Sequence, residues 1–149
     1  MTPRRRLALL LTVVSIAACT APSSREVDTI GPAPRLELEN GSFTFDHDGH
    51  RIHYEVHGEG PILMTVPNSW GLSLEGLRGL YAPLEEHVTM VYFDPRGMGG
   101  SSPVREESDR GPAAVREDFE SLRNHLGLAR VNVIGWSNGA TNLILLASE

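Results

Sequence analysis

The chain has 149 residues and a formal net charge of −6, from 13 basic and 19 acidic side chains, which leaves room for one domain at most. Hydrophobic residues make up 40 % and charged residues 21 %, a balance too apolar for intrinsic disorder and sufficient for a packed core. All the bases are arginine, which excludes a phosphate loop that needs its lysine and a Schiff-base amine, and an acidic chain without a basic stripe is expected to bind no nucleic acid.

The first elements in chain order are targeting signals. Arg4, Arg5 and Arg6 precede an apolar run from Leu7 to Ala17, which is shorter than the roughly 20 residues of a membrane-spanning helix and has the layout of a secretory signal peptide. The tetrad Ile16-Ala17-Ala18-Cys19 resembles the bacterial lipoprotein box. That resemblance implies cleavage after residue 18, lipidation of Cys19 and a chain anchored to a membrane of the bacterial cell envelope; an ordinary secretory signal with a chance cysteine is the plainer alternative. Removing residues 1–18 deletes three arginines and no acid, so the mature chain is more acidic still. With its one cysteine lipidated it forms no disulfide, and packing must hold it together. Residues 19–36, with Pro22, Pro32 and Pro34 among serines and a glycine, read as a flexible tether.

A partial domain is expected over residues 37–149. Gly41–Phe45 and Arg51–Val56 are strand-like, with Ile52, Tyr54 and Val56 alternating with polar residues, and Asp46-His47-Asp48-Gly49 between them predicts a hairpin. Ile62–Val66, Val88–Phe93 and Val131–Ile134 are continuous apolar runs that suit strands buried on both faces. Helices are predicted around Leu74–Leu84, stopped by Pro83, over Ala113–Leu126, and over Asn138–Ser148. In the second of these Val115, Phe119, Leu122 and Leu126 share one face, and Gly127 stands just past the end. An antiparallel opening followed by strand–helix alternation predicts an α/β domain with a mostly parallel sheet, helices on both faces, and chemistry in the loops after Val66, Phe93 and Ile134.

The third loop carries the strongest motif. Gly135-Trp136-Ser137-Asn138-Gly139 is G-x-S-x-G between a strand and a helix, the setting in which a sharp turn lifts a serine hydroxyl clear of the sheet and turns the next backbone N–H toward a developing oxyanion. The flanking glycines are expected because side chains there would meet neighbouring backbone. In the second loop, Phe93-Asp94-Pro95-Arg96-Gly97-Met98-Gly99-Gly100-Ser101 resembles the F-D-x-R-G-x-G-x-S turn of the α/β-hydrolase superfamily. Together with the order of elements and the Ser137 elbow, it identifies the chain as resembling the N-terminal half of that superfamily, most similar to the branch of proline iminopeptidases and related esterases. The rival reading of Gly97–Gly100 as a dinucleotide-binding loop, which would make the chain a nucleotide-dependent oxidoreductase, lacks the G-x-G-x-x-G spacing and an immediately following helix. Asp94 and Arg96 are expected to fix the turn by local hydrogen bonds.

The resemblance implies that Ser137 is the nucleophile of acyl transfer, whereas dehalogenases and epoxide hydrolases of the superfamily carry aspartate at this position. It also implies an oxyanion hole made by the N–H of Asn138 and an N–H of the first loop. Relatives carry H-G-x-P there; this chain has Pro67-Asn68-Ser69-Trp70-Gly71, and alignment on Gly71 makes Ser69 the second donor, with Asn68 next in line. Trp70 and Trp136 are candidates either to wall an acyl pocket or to fill the core. The superfamily's chain order is serine, then acid, then histidine. Here all six histidines precede Ser137, four of them in or near the hairpin, and the residues after it include no aspartate and no histidine. The expectation is the N-terminal part of an exported serine hydrolase acting on a small ester or amide, incomplete and inactive as given, with no metal and no cofactor; a degenerate hydrolase fold that binds a ligand or partner is the alternative. If later strands are absent, Val131–Ile134 is expected to lie at an open edge.

Overall fold

A computed structural model of the chain describes residues 37–147, so the predicted signal peptide, Cys19 and the tether fall outside the described residues. Among the described residues the fold is a five-stranded sheet with three α-helices. Strands β1 (Gly41–His47) and β2 (His50–His57) form the predicted hairpin, each longer than expected because the turn is tight. Asp48 and Gly49 both have positive φ, 48° and 78°, the two-residue turn whose twist matches that of paired strands. Across the hairpin Phe43 sits opposite Tyr54, with ring centroids 5.3 Å apart.

Strand β3 (Ile62–Val66) leads through helix α1 (Leu74–Tyr81) to β4 (Thr89–Asp94). The helix stops before Pro83, as predicted, and a 3₁₀ turn over Ala82–Glu86 finishes the connection. Pro112 opens helix α2 (Pro112–His125), where its missing N–H costs nothing. At the other end Leu128 N–H bonds to Arg123 O and Gly127 N–H to Asn124 O, a paired C-cap with Leu128 buried beneath it. Strand β5 (Asn132–Gly135) and helix α3 (Asn138–Ala147) complete the described residues.

The sheet order is β1-β2-β4-β3-β5. β2 is antiparallel to both β1 and β4, while β3 is parallel to β4 and β5, so a single strand runs against the other four. Every residue of β4 is buried, and its alternation divides the core. Val91 and Phe93 face α2 and α3 with Val115, Phe119 and Leu122, and Met90 and Tyr92 face α1 with Leu74 and Leu77. Helices therefore cover both faces.

Two expectations require correction. β5 is not buried on both faces: it is the last strand of the sheet among the described residues, no strand pairs with its outer side, and Val133 is 37 % exposed. Trp70 and Trp136 do not fill the core; they are 67 % and 52 % exposed, each on a loop at a strand's carboxyl end.

Candidate active site

The connection from β3 goes to β4 on one side, and the return through α2 goes to β5 on the other, so β3 is the point at which the winding reverses. In parallel sheets the loops beyond the strand ends diverge there and leave a crevice. The loops after Val66, Asp94 and Gly135 all leave the same edge of the sheet, and the first two line a cleft of about 370 Å³ with Ser69, Trp70, Ser73, Met98, Glu107 and Arg110 on its walls.

Ser137 stands in the turn between β5 and α3 with φ = 54°, a left-handed conformation that costs a non-glycine residue of order 1–3 kcal/mol. It is exposed at the tip of the turn, and among the described residues no hydrogen bond reaches its hydroxyl. The two flanking glycines explain how the turn closes. A Cβ on Gly139 would lie 2.3 Å from Val66 O, and one on Gly135 would lie 2.7 Å from the Gly139 backbone, so β5, α3 and the end of β3 approach as closely as backbone allows. Asn138 is the first residue of α3, and its N–H belongs to the helical turn that has no intrahelical acceptor.

A cluster of amide side chains ties the first loop to α3. Asn68 Oδ1 accepts the Gly139 N–H at 3.0 Å, and Asn142, 2 % exposed, donates through Nδ2 to Pro67 O and to Ser69 Oγ, both at 3.0 Å. The Ser69 N–H donates to Asn138 Oδ1 at 2.8 Å. The structure thus brings Ser69, Asn138 and Ser137 into one corner, and the Ser69 amide is engaged by the Asn138 side chain. Sequence reasoning treated this loop as backbone and missed the cluster. The available signal was Asn138 and Asn142, four apart on one helix face, with Asn68 and Ser69 directly after a buried strand.

Asp94, at the end of β4, holds the second loop. Its carboxylate accepts the Leu74 N–H at 2.7 Å, which supplies the N-terminus of α1 with an acceptor that Ser73 does not provide, and the Gly100 N–H at 2.9 Å. The glycine-rich turn is wrapped around that carboxylate: a Cβ on Gly99 would sit 2.2 Å from Asp94 Oδ2. The Gly97, Met98 and Ser101 N–H groups are taken by the backbone carbonyls of Ser102, Pro95 and Met98, and the first helical element to follow is a three-residue 3₁₀ turn at Glu107–Asp109. Arg96 departs from its expected local role. It reaches α2, where Asp118 accepts from its backbone N–H at 2.8 Å and from Nε and Nη2 at 2.9 and 2.7 Å. Burial opposes the charge on Arg96, but the hydrogen bonds and charge of Asp118, with Glu117 and Asp48 further out, raise its pKa above the ordinary arginine value.

Four of the six histidines have side-chain partners away from Ser137. His53 Nδ1 lies 3.1 Å from Asp94 Oδ2 and its Nε2 lies 2.9 Å from Ser42 Oγ. This has the connectivity of a serine–histidine–aspartate relay, but Asp94 already receives two backbone amides and serves as a clamp. His57 pairs with Glu55 at 2.8 Å, His47 with Ser121 at 2.9 Å, and His125 stacks on Phe45 with centroids 4.7 Å apart.

Comparison with known proteins agrees with this architecture. Residues 63–149, more than half of the chain, match the model of the α/β hydrolase fold family. The proline iminopeptidase of Xanthomonas citri is 31 % identical over 115 residues, covering 74 % of this chain and 36 % of that protein. The serine hydrolase BPHL of Mus musculus is 27 % identical over 148 residues, covering 97 % and 48 %. An epoxide hydrolase from Vigna radiata shares the fold with a TM-score of 0.63 at 22 % identity, over 72 % of this chain and 35 % of that one. The chain spans about a third to a half of the length of these curated relatives. The sheet order, the turn around Asp94, the elbow at Ser137 and the family match converge: this chain belongs to the α/β hydrolase fold family.

Proposed function

We propose that the chain is the nucleophile-bearing part of a serine hydrolase that cleaves a small ester or amide through an acyl-enzyme. The observation that carries this reading is the left-handed Ser137, held at an exposed turn by glycines on both sides. In the proposed reaction Ser137 Oγ attacks the carbonyl carbon and its proton passes to a general base. The carbonyl oxygen becomes an oxyanion facing the N–H groups of Asn138 and Ser69, and the leaving group departs with a proton; water then repeats the sequence on the acyl-serine. The serine at the elbow favours this over epoxide chemistry, for which the superfamily carries aspartate at that position. The cleft walled by Trp70 and Met98 is the proposed substrate entrance.

The base and its acid are proposed to come from sequence outside residues 1–149. Supporting this, the histidines that make hydrogen bonds or ring contacts do so away from Ser137, and the curated relatives are about two to three times as long as the matched segment. Sequencing the gene past codon 149 tests it: an open frame encoding an aspartate or glutamate and then a histidine is expected, and a stop codon favours the ligand-binding alternative. For the nucleophile, a fluorophosphonate probe is expected to label the full-length polypeptide at Ser137 and to lose that label in Ser137→Ala; labelling that survives the substitution removes Ser137 from the reaction. We also propose that residues 1–18 direct export and that Cys19 carries a lipid. Radiolabelled palmitate is expected to enter the wild-type protein and not Cys19→Ala, and equal incorporation in both refutes the anchor.

A further inference from the structure

We propose that the Asn138 side chain is a built-in occupant of the oxyanion site, a stand-in for the substrate carbonyl that must swing away before acyl transfer. This rests on the serine-hydrolase reading above. The juxtaposition behind it is the 2.8 Å hydrogen bond from Ser69 N–H to Asn138 Oδ1 beside the nucleophile. A backbone N–H carries one hydrogen, so while Ser69 donates to the carboxamide it is not available to a substrate oxygen. The oxygen of a carboxamide is also chemically the same kind of acceptor as the oxygen of a scissile ester or amide. The site is therefore closed by a mimic of its own ligand.

The neighbouring side chains differ from Asn138 in how firmly they are held. Asn142 is buried and makes bonds to both Pro67 O and Ser69 Oγ, and Asn68 accepts the Gly139 N–H at the heart of the elbow. Asn138 contributes one neutral hydrogen bond at the mouth of the corner, and it is half-buried. A neutral carbonyl of a bound substrate competes with it on equal terms, whereas a developing oxyanion is the stronger acceptor and displaces it. Displacing it costs the transition state, relative to the free enzyme, about one neutral hydrogen bond, and in return the side chain keeps the empty site from capturing stray carbonyl groups. Asn138 is a positioning residue in this role. Its backbone N–H, the other proposed donor, is untouched by changes to its side chain, which makes the idea separable from the oxyanion hole itself.

The test measures two quantities in the full-length polypeptide: hydrogen exchange of the Ser69 amide by NMR, and the second-order rate of Ser137 phosphonylation by a fluorophosphonate. In that reaction the Oγ–P bond forms, P–F breaks, fluoride leaves, and the hydroxyl proton passes to the general base. The Ser69 amide is expected to be protected in the wild type and to exchange faster in Asn138→Ala. Phosphonylation is expected to run about three- to tenfold faster in Asn138→Ala, the yield of removing one competing neutral hydrogen bond. Asn138→Asp is expected to be slower than wild type at neutral pH, because a carboxylate accepts more strongly. A purely structural side chain gives the opposite sign, with Asn138→Ala slower. Labelling that depends on Ser137 but is equal or slower in Asn138→Ala overturns the gate alone, as does an unprotected Ser69 amide in the wild type. A protected Ser69 amide with no labelling of any variant overturns the hydrolase reading, and the gate falls with it.

Discussion

Ser137 spends conformational energy to stand where it does. A side chain at φ = 54° is strained, and no hydrogen bond from another described residue to its hydroxyl repays it, so replacing it with the residue that accepts this conformation freely should relieve the strain. Ser137→Gly is expected to raise the unfolding free energy by about 1 kcal/mol, read from the denaturant midpoint, while abolishing probe labelling; a destabilised variant would mean that the turn is not strained. The glycine two residues on obeys the reverse logic. Gly139→Ala drives a methyl group to 2.3 Å from Val66 O, where backbone must give way, and a loss of about 1–3 kcal/mol is expected. Gly79→Ala, on α1 with nothing within 4 Å of its added Cβ and no positive φ, is the control for a change of backbone freedom without a clash.

Between elements, two polar contacts do what the apolar core does not, which is to fix helices relative to particular loops. Asp118 on α2 is fully buried and binds Arg96 three times, so truncating one partner leaves a buried charge. Asp118→Ala is expected to cost about 3–5 kcal/mol in chemical denaturation, and the double change Arg96→Met with Asp118→Leu much less, since no charge is then left inside. On the opposite face, burial alone would raise the Glu85 pKa, but hydrogen bonds from Arg78 and Tyr92 and the Arg78 charge more than offset it, and the pKa is lowered. A carboxylate whose folded pKa lies below its unfolded one stabilises the fold above the unfolded value, and that contribution fades as pH falls through the folded one. The stability gap between wild type and Glu85→Gln is therefore expected to be widest near neutral pH and to close below the ordinary carboxylate range, in urea titrations from pH 7 to pH 3. Contacts of this kind are where sequence reading stops. The hairpin, the apolar face of α2 and the G-x-S-x-G elbow are local patterns, and periodicity and spacing reveal them. The Asn68–Gly139, Ser69–Asn138 and Arg96–Asp118 bonds join residues 71, 69 and 22 positions apart, and they exist because the sheet order sets β3 beside β5 and folds α2 back over β4.

At the scale of the whole molecule, that same order decides which surfaces are finished. The β1 side of the sheet ends in a hairpin whose exposed positions are polar, among them Ser42, Thr44 and Asp46. The β5 side ends differently: among the described residues its outer edge is unpaired, Val133 points partly to solvent, and beside it α3 presents Ile144 and Leu145, 66 % and 46 % exposed. Periodicity read Val131–Ile134 as a strand covered on both faces, and its composition is indeed that of one; the exposure arises because composition reports what a strand is suited to, while cover depends on neighbours. An open strand edge beside exposed aliphatic side chains is a template for pairing with another copy. Residues 37–149 expressed alone are expected to self-associate with rising concentration, seen as growth in light-scattering mass. Val133→Lys, which sets a charge on the edge strand without touching the elbow glycines, is expected to suppress that growth, and Ser42→Lys on the polar edge to leave it unchanged. Equal association by the Val133→Lys variant would show that copies meet through some other surface.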